Sequence, residues 1–176
     1  MQRLYYGEDA SQKISRNLLE KERLDEGWTI KYLDESNGQL WTLYHVEELG
    51  TFEDILVVFP IPTTEELIAI AFNSDSLNEV AASAVLLRIL ESWKKIEFRE
   101  AIVNRLKKLE VDELEANEKR RFEIIIEKAE LTDVLNRREV LGKHINEINK
   151  DAAFFYQTGA FCQALLSSLR PPDYWT

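Results

Sequence analysis

Trp28-Thr29-Ile30-Lys31-Tyr32-Leu33, Asp34-Glu35-Ser36-Asn37-Gly38 and Gln39-Leu40-Trp41-Thr42-Leu43-Tyr44 form the stretch that decides the fold. Its two flanks are rich in aromatic and β-branched residues, which fit a pleated, half-buried strand surface. Between them the Asn37-Gly38 pair takes positive φ at low cost, as a tight hairpin turn requires. Side chains alternate across a strand, so Trp28, Ile30 and Tyr32 share one face while Trp41 and Leu43 alternate on the returning strand.

Upstream, residues 9–25 read as a helix with Asp9 as cap, a sparse stripe of Ile14, Leu18 and Leu24, and Gly27 as stop. Downstream, Ile55-Leu56-Val57-Val58-Phe59 supplies a third strand that ends at Pro60-Ile61-Pro62. From there the period is helical. Thr63 with Glu66 and Ser76 with Glu79 form two capping boxes, opening helices over 63–72 and 77–93. The second is apolar nearly all round and is therefore expected to be buried. Further helices are expected over 97–110, 112–130, 132–149 (capped by Thr132) and 152–169. These elements predict a helix-dominated α+β fold, with a small N-terminal antiparallel β-hairpin or sheet followed by an antiparallel helical array. The expected organisation is a single domain over 1–176: helix plus β-element over 1–62, helical array over 63–170, and a tail over 171–176.

Ala152 to Leu169 contains no charged residue and is 18 positions long, the lower limit for crossing a bilayer. Its Gln, Thr, Gly and Ser residues and the lack of a flanking basic cluster favour a buried or partner-facing helix instead.

Charge narrows the partners. The chain of 176 residues carries a net charge of −10 with a pI near 4.8, which argues against nucleic acid and anionic membrane. Residues 1–59 hold 12 acids and 6 bases, whereas residues 94–150 hold 13 acids and 14 bases. The excess belongs to the first half. Cys162 is the one cysteine, so no internal disulfide forms, and its apolar helical setting reads as an inert core thiol. The first residues, MQRLYYGEDASQK, have no apolar run after their basic residue and do not read as a signal peptide. A cytoplasmic protein is expected.

Catalytic chemistry is thinly supplied. The six glycines are isolated, so no phosphate-binding loop exists. His45 and His144 have no ligand companions at metal-site spacing, and neither metal nor cofactor is expected. His45-Val46-Glu47-Glu48 can be drawn as a base with a carboxylate partner, but a solvated loop explains it better. The reading is of a non-enzyme; an enzyme of another kind would need a cleft with perturbed titratable groups.

Binding chemistry is better supplied. Asp34 and Glu35 sit at the hairpin tip, and Glu47, Glu48, Glu53 and Asp54 lie beyond its second strand, together with Trp28, Tyr32, Trp41, Tyr44 and Phe52. Aromatics edged by acids suit an Arg- or Lys-bearing partner. The plainer account is that the aromatics cover helices and the acids face water. The candidate partner-binding set is Asp34, Glu35, Trp41, Tyr44, Glu47, Glu48, Glu53 and Asp54.

Gly27-Trp28-Thr29, Tyr32-Leu33-Asp34, Gly38 and Trp41 together resemble a hairpin pattern of immunity proteins from bacterial polymorphic toxin systems. The resemblance covers about a tenth of the chain. The helical remainder departs from the small β-rich form of such proteins. The resemblance implies a cytoplasmic bacterial protein that binds and neutralises one basic toxin domain, with no catalytic residues. The alternative is a helical adaptor or scaffold that binds through the uncharged helix 152–169 and the Tyr174-Trp175 tail. A homodimer is open under either reading.

Overall fold

A computed structural model of the chain describes residues 2–48 and 51–170; the side chains of Glu48 and Thr51 and the tail at 171–176 lie outside that description. The chain divides into two compact units, Met1–Ser83 and Ala84–Thr176. The architecture is α+β, an antiparallel sheet followed by helices.

The N-terminal unit is built on a five-stranded antiparallel sheet in the order β1-β5-β4-β3-β2. Its strands are β1 (Leu4–Tyr6), β2 (Leu18–Leu24), β3 (Thr29–Asp34), β4 (Gln39–Glu48) and β5 (Thr51–Val58). The hairpin forms as expected, with Ile30 opposite Leu43 and Tyr32 opposite Trp41. Its turn closes where the Asn37 and Gly38 amides donate to the Asp34 carbonyl, at 3.3 and 2.8 Å, with Gly38 at φ +73°. The third strand starts earlier than its apolar run because β4 continues to Glu48 and pairs with it throughout. Helix α1 (Glu8–Asn17) lies over one face. There Ala10, Ile30, Tyr32, Trp41, Leu43 and Leu56 form a buried cluster, with Tyr5, Ile14, Leu18 and Val58 packed around it. On the other face Leu4, Thr42, Tyr44, Ile55 and Val57 are buried.

The helix expected over 9–25 is two elements. It stops at Asn17, and Leu18–Leu24 pairs with β3 as an edge strand. Ala10 is the one buried residue of α1, so the apolar stripe is too short to hold 17 residues in a helix. Beyond it, Glu20 with Arg23 (2.7 Å) and Glu22 with Lys31 (2.7 Å) form ion pairs on the sheet, and their charges protect the edge from further pairing. Asp9 is not the cap. The helix opens at Gly7, whose φ of +59° suits glycine and whose amide donates to the Asp54 carbonyl at 2.8 Å.

Helix α2 (Thr64–Asn73) has the expected capping box: the Glu66 amide donates to Thr63 Oγ1 at 3.2 Å, and the Thr63 amide to Glu66 Oε2 at 2.8 Å. Before α3 (Leu77–Lys94) half of the second box forms. The Glu79 amide donates to Ser76 Oγ, but the Glu79 carboxylate accepts from the Arg3 amide (2.6 Å) and Ser74 Oγ (2.7 Å). Asn78 adds two bonds to the Tyr6 backbone, tying the short β1 to α3.

Every residue from Val80 to Glu91 is buried, in keeping with an apolar helix surface. The C-terminal unit continues with α4 (Arg99–Leu106), α5 (Ala116–Lys128) and α6 (Ile145–Leu169). No helix spans 132–149. Residues 132–144 hold no regular helix, and Thr132 caps nothing. The apolar residues spaced for a helix here, Val134, Leu141, Ile145 and Ile148, make no buried stripe: the first three are exposed and Ile148 is half-buried, and Gly142 sits at φ +78°. Ion pairs hold this segment instead, with Arg137 on Glu130 and Asp133, and Arg138 on Glu97 and Asp151. Helix α6 starts at a His144 cap and runs 25 residues, burying Phe155, Thr158, Gly159, Cys162, Leu165, Leu166 and Leu169. Its uncharged stretch is thus core on one side and mostly small or polar on the other. Among the described residues no helix is long and apolar enough to cross a membrane.

Candidate partner-binding site

The eight candidate residues do not form one patch. Asp34, Trp41 and Tyr44 are buried and are corrected to structural groups. Asp34 Oδ1 accepts from the Ser36 hydroxyl (2.5 Å) and amide (3.1 Å), and Oδ2 accepts from Lys13 Nζ (3.1 Å). The Ser36 bond and the Lys13 ammonium hold this carboxyl below its ordinary range. Trp41 lies beneath α1, 5.7 Å from the Tyr5 ring and with Lys13 Nζ 5.5 Å from its centroid. Tyr44 is buried on the other face, where desolvation pushes its phenol up.

The remaining acids are split. Glu35 is exposed in the β3–β4 turn, whereas Glu47, Glu53 and Asp54 lie at the far end of β4 and the start of β5. The length of β4 separates the two places, on the order of 25 Å at strand rise. The Glu48 side chain lies outside the description.

At the far end the structure assembles a group the sequence did not mark. Strand β3 begins beside the 3-10 turn Asp25–Gly27, β1 ends beside Asp54, and α1 begins there. Glu8, Asp9, Asp25, Glu26 and Glu47 are exposed, and Glu53 and Asp54 are half-buried. The three contributing segments, 4–12, 25–30 and 43–55, contain no Lys or Arg. All six bases of residues 1–59 lie elsewhere. Helix α1 starts level with Asp54 and runs toward Asp34, so it leaves this end of its sheet face bare. Here Trp28 (47% exposed) and Phe52 (64% exposed) stand with ring centroids 5.5 Å apart, tilted at 59°. Glu47 is directly opposite Phe52, and His45 Nδ1 is 2.6 Å from Asp54 Oδ1. Because β1 is only three residues long, a groove of about 450 Å³ opens beside β5, lined by Tyr6, Gly7, Glu8, Ser11, Phe52, Glu53 and Asp54.

The C-terminal unit has a cleft of about 570 Å³, and Arg99, Arg137, Arg138 and Lys143 of its lining are paired with carboxylates of the same unit. The buried Arg99 guanidinium makes a bidentate pair with Glu91 (2.8 and 2.9 Å), donates to the Glu130 carbonyl and lies 5.0 Å from the Phe155 centroid. Arg138 lies 4.7 Å over Phe154 while bonding Glu97 and Asp151. Lys143 also bonds Asp151, and these two cations hold the Asp151 carboxyl below its ordinary range. Burial pushes the Cys162 thiol up to about 12, which leaves it protonated and unreactive at neutral pH. Among the described residues no group of three or more His, Cys, Asp or Glu is placed to hold a metal ion.

Comparisons with protein families, curated proteins and solved structures found no match. The residues that resemble the immunity-protein hairpin have structural duties here. Gly27 and Gly38 take positive φ, Asp34 braces the turn, and Tyr32 and Trp41 pair across the strands in the core.

Proposed function

We propose that this chain is a non-catalytic binding protein that occludes a basic protein domain, as an immunity protein does its toxin, and acts through the acidic end of its N-terminal sheet. The observation that carries this reading is segregation of charge. Three segments distant in sequence converge with their acids and without a single Lys or Arg. Such a one-signed surface steers a basic partner and repels acidic ones. The bare aromatic pair beside it supplies the desolvated contact that charge alone lacks. The C-terminal unit, whose Arg99, Arg137 and Arg138 are paired with its own carboxylates, fits a supporting role.

The test is affinity capture from native lysate followed by co-expression. A captured basic protein that arrests growth alone, and is relieved by this chain, supports the reading. Capture of acidic proteins only, or growth arrest unaffected by co-expression, contradicts it.

A further inference from the structure

We propose that the bare sheet end centred on Trp28 and Phe52 is a docking surface for an arginine-bearing segment of the partner; this rests on the reading above and specifies its contact. The two rings are exposed, lie against each other, and sit just past the point where α1 stops covering the sheet. Adjacent large aromatics on an otherwise polar surface mark a contact site.

Charge complementarity selects the occupant. A second copy of this chain would bring two acidic ends together, and a nucleic acid or anionic membrane would be repelled. A basic segment is attracted. Arginine fits better than lysine because its planar guanidinium stacks on a ring while its edge forms fork bonds to carboxylates, and it is less strongly hydrated. Glu47 stands opposite Phe52, and Asp54, two residues further along β5, shares its face, so acceptors flank the rings. The C-terminal unit uses the same combination twice, with Arg138 over Phe154 between Glu97 and Asp151, and Arg99 over Phe155 on Glu91.

The experiment titrates the 15N-labelled chain with two capped octapeptides, (Gly-Arg)4 and (Gly-Lys)4, at about 0.15 M salt, where only close charge pairs act strongly. The Trp28 indole resonance is assigned with Trp28→Phe. The expected result is saturable shifts at the Trp28 indole and at the amides of Glu47, Phe52 and Glu53, with the arginine peptide bound about three- to tenfold more tightly. Trp28→Ala and Phe52→Ala should each erase that preference, while Glu47→Gln/Glu53→Gln should weaken both peptides. Equal affinities for the two peptides, unchanged in Trp28→Ala, would overturn the arginine contact and leave the basic-partner reading standing. Absence of shifts at this end with either peptide would overturn both.

Discussion

The C-terminal unit and the acidic end of the N-terminal sheet handle charge in opposite ways. In the C-terminal unit cations and carboxylates face each other: Arg99 on Glu91, Arg138 on Glu97 and Asp151, Arg137 on Glu130 and Asp133, and Arg170 on Glu127. In the N-terminal unit the acids of one sheet end have no Lys or Arg among them. A buried pair is a structural commitment, since removing one partner strands the other charge in low dielectric. An exposed unmatched acid costs the fold little and leaves its field directed at solvent, where it acts on an approaching molecule. The same residue types therefore hold one region together and make the other available.

The largest effect that would break this comparison is expected at Arg99. Arg99→Ala leaves Glu91 buried without its bidentate partner, and urea denaturation should show a loss of about 3–5 kcal/mol. A loss within the range of surface substitutions would mean the C-terminal pairs are ornamental. Next comes Gly159→Ala. A Cβ there would stand 2.7 Å from Val134 Cγ1 and 2.8 Å from the Thr132 carbonyl oxygen, so α6 or the 132–134 backbone must shift. Calorimetry should show a lower Tm, for a cost of about 1–3 kcal/mol.

Acid should then probe both units. Asp34 and Asp151 have folded-state pKa values below the ordinary 3.8, so each contributes stability that is fully present above that value. It is lost as pH falls through the depressed folded pKa. Urea midpoints should hold level from neutrality to about pH 5 and fall below about pH 4. Asp34→Asn should lower the neutral midpoint and flatten the acid limb. The smallest effect belongs to the open acids: Glu47→Gln/Glu53→Gln should leave stability within about ±0.5 kcal/mol per substitution.

The hairpin was legible because its turn residues and its alternating aromatics point to one register, and α3 because nearly every side of it is apolar. Strand β2 was not legible. An edge strand of Glu20, Lys21, Glu22 and Arg23 has no hydrophobic period, and its flanking Leu18 and Leu24 sit at spacings a helix also allows. The helix expected over 132–149 failed in the opposite way, since Val134, Leu141 and Ile145 keep helical spacing while facing solvent. The acidic surface was half legible. Glu47, Glu53 and Asp54 are neighbours in sequence, but Glu8, Asp9, Asp25 and Glu26 join them through sheet topology. Asp34, Trp41 and Tyr44 were misplaced because residue type does not tell a buried turn brace or core ring from an exposed contact. The usable signal was the absence of Lys and Arg from all three segments.

Association kinetics read out whether the acidic sheet end is the binding surface. The captured basic partner would be bound to the native chain and to Glu47→Gln/Glu48→Gln/Glu53→Gln across a range of ionic strength. The native on-rate should fall steeply with salt, and the variant should show a slower, flatter on-rate with a smaller change in off-rate. On-rates that coincide at low salt would contradict it, and the binding surface would then lie elsewhere on the chain.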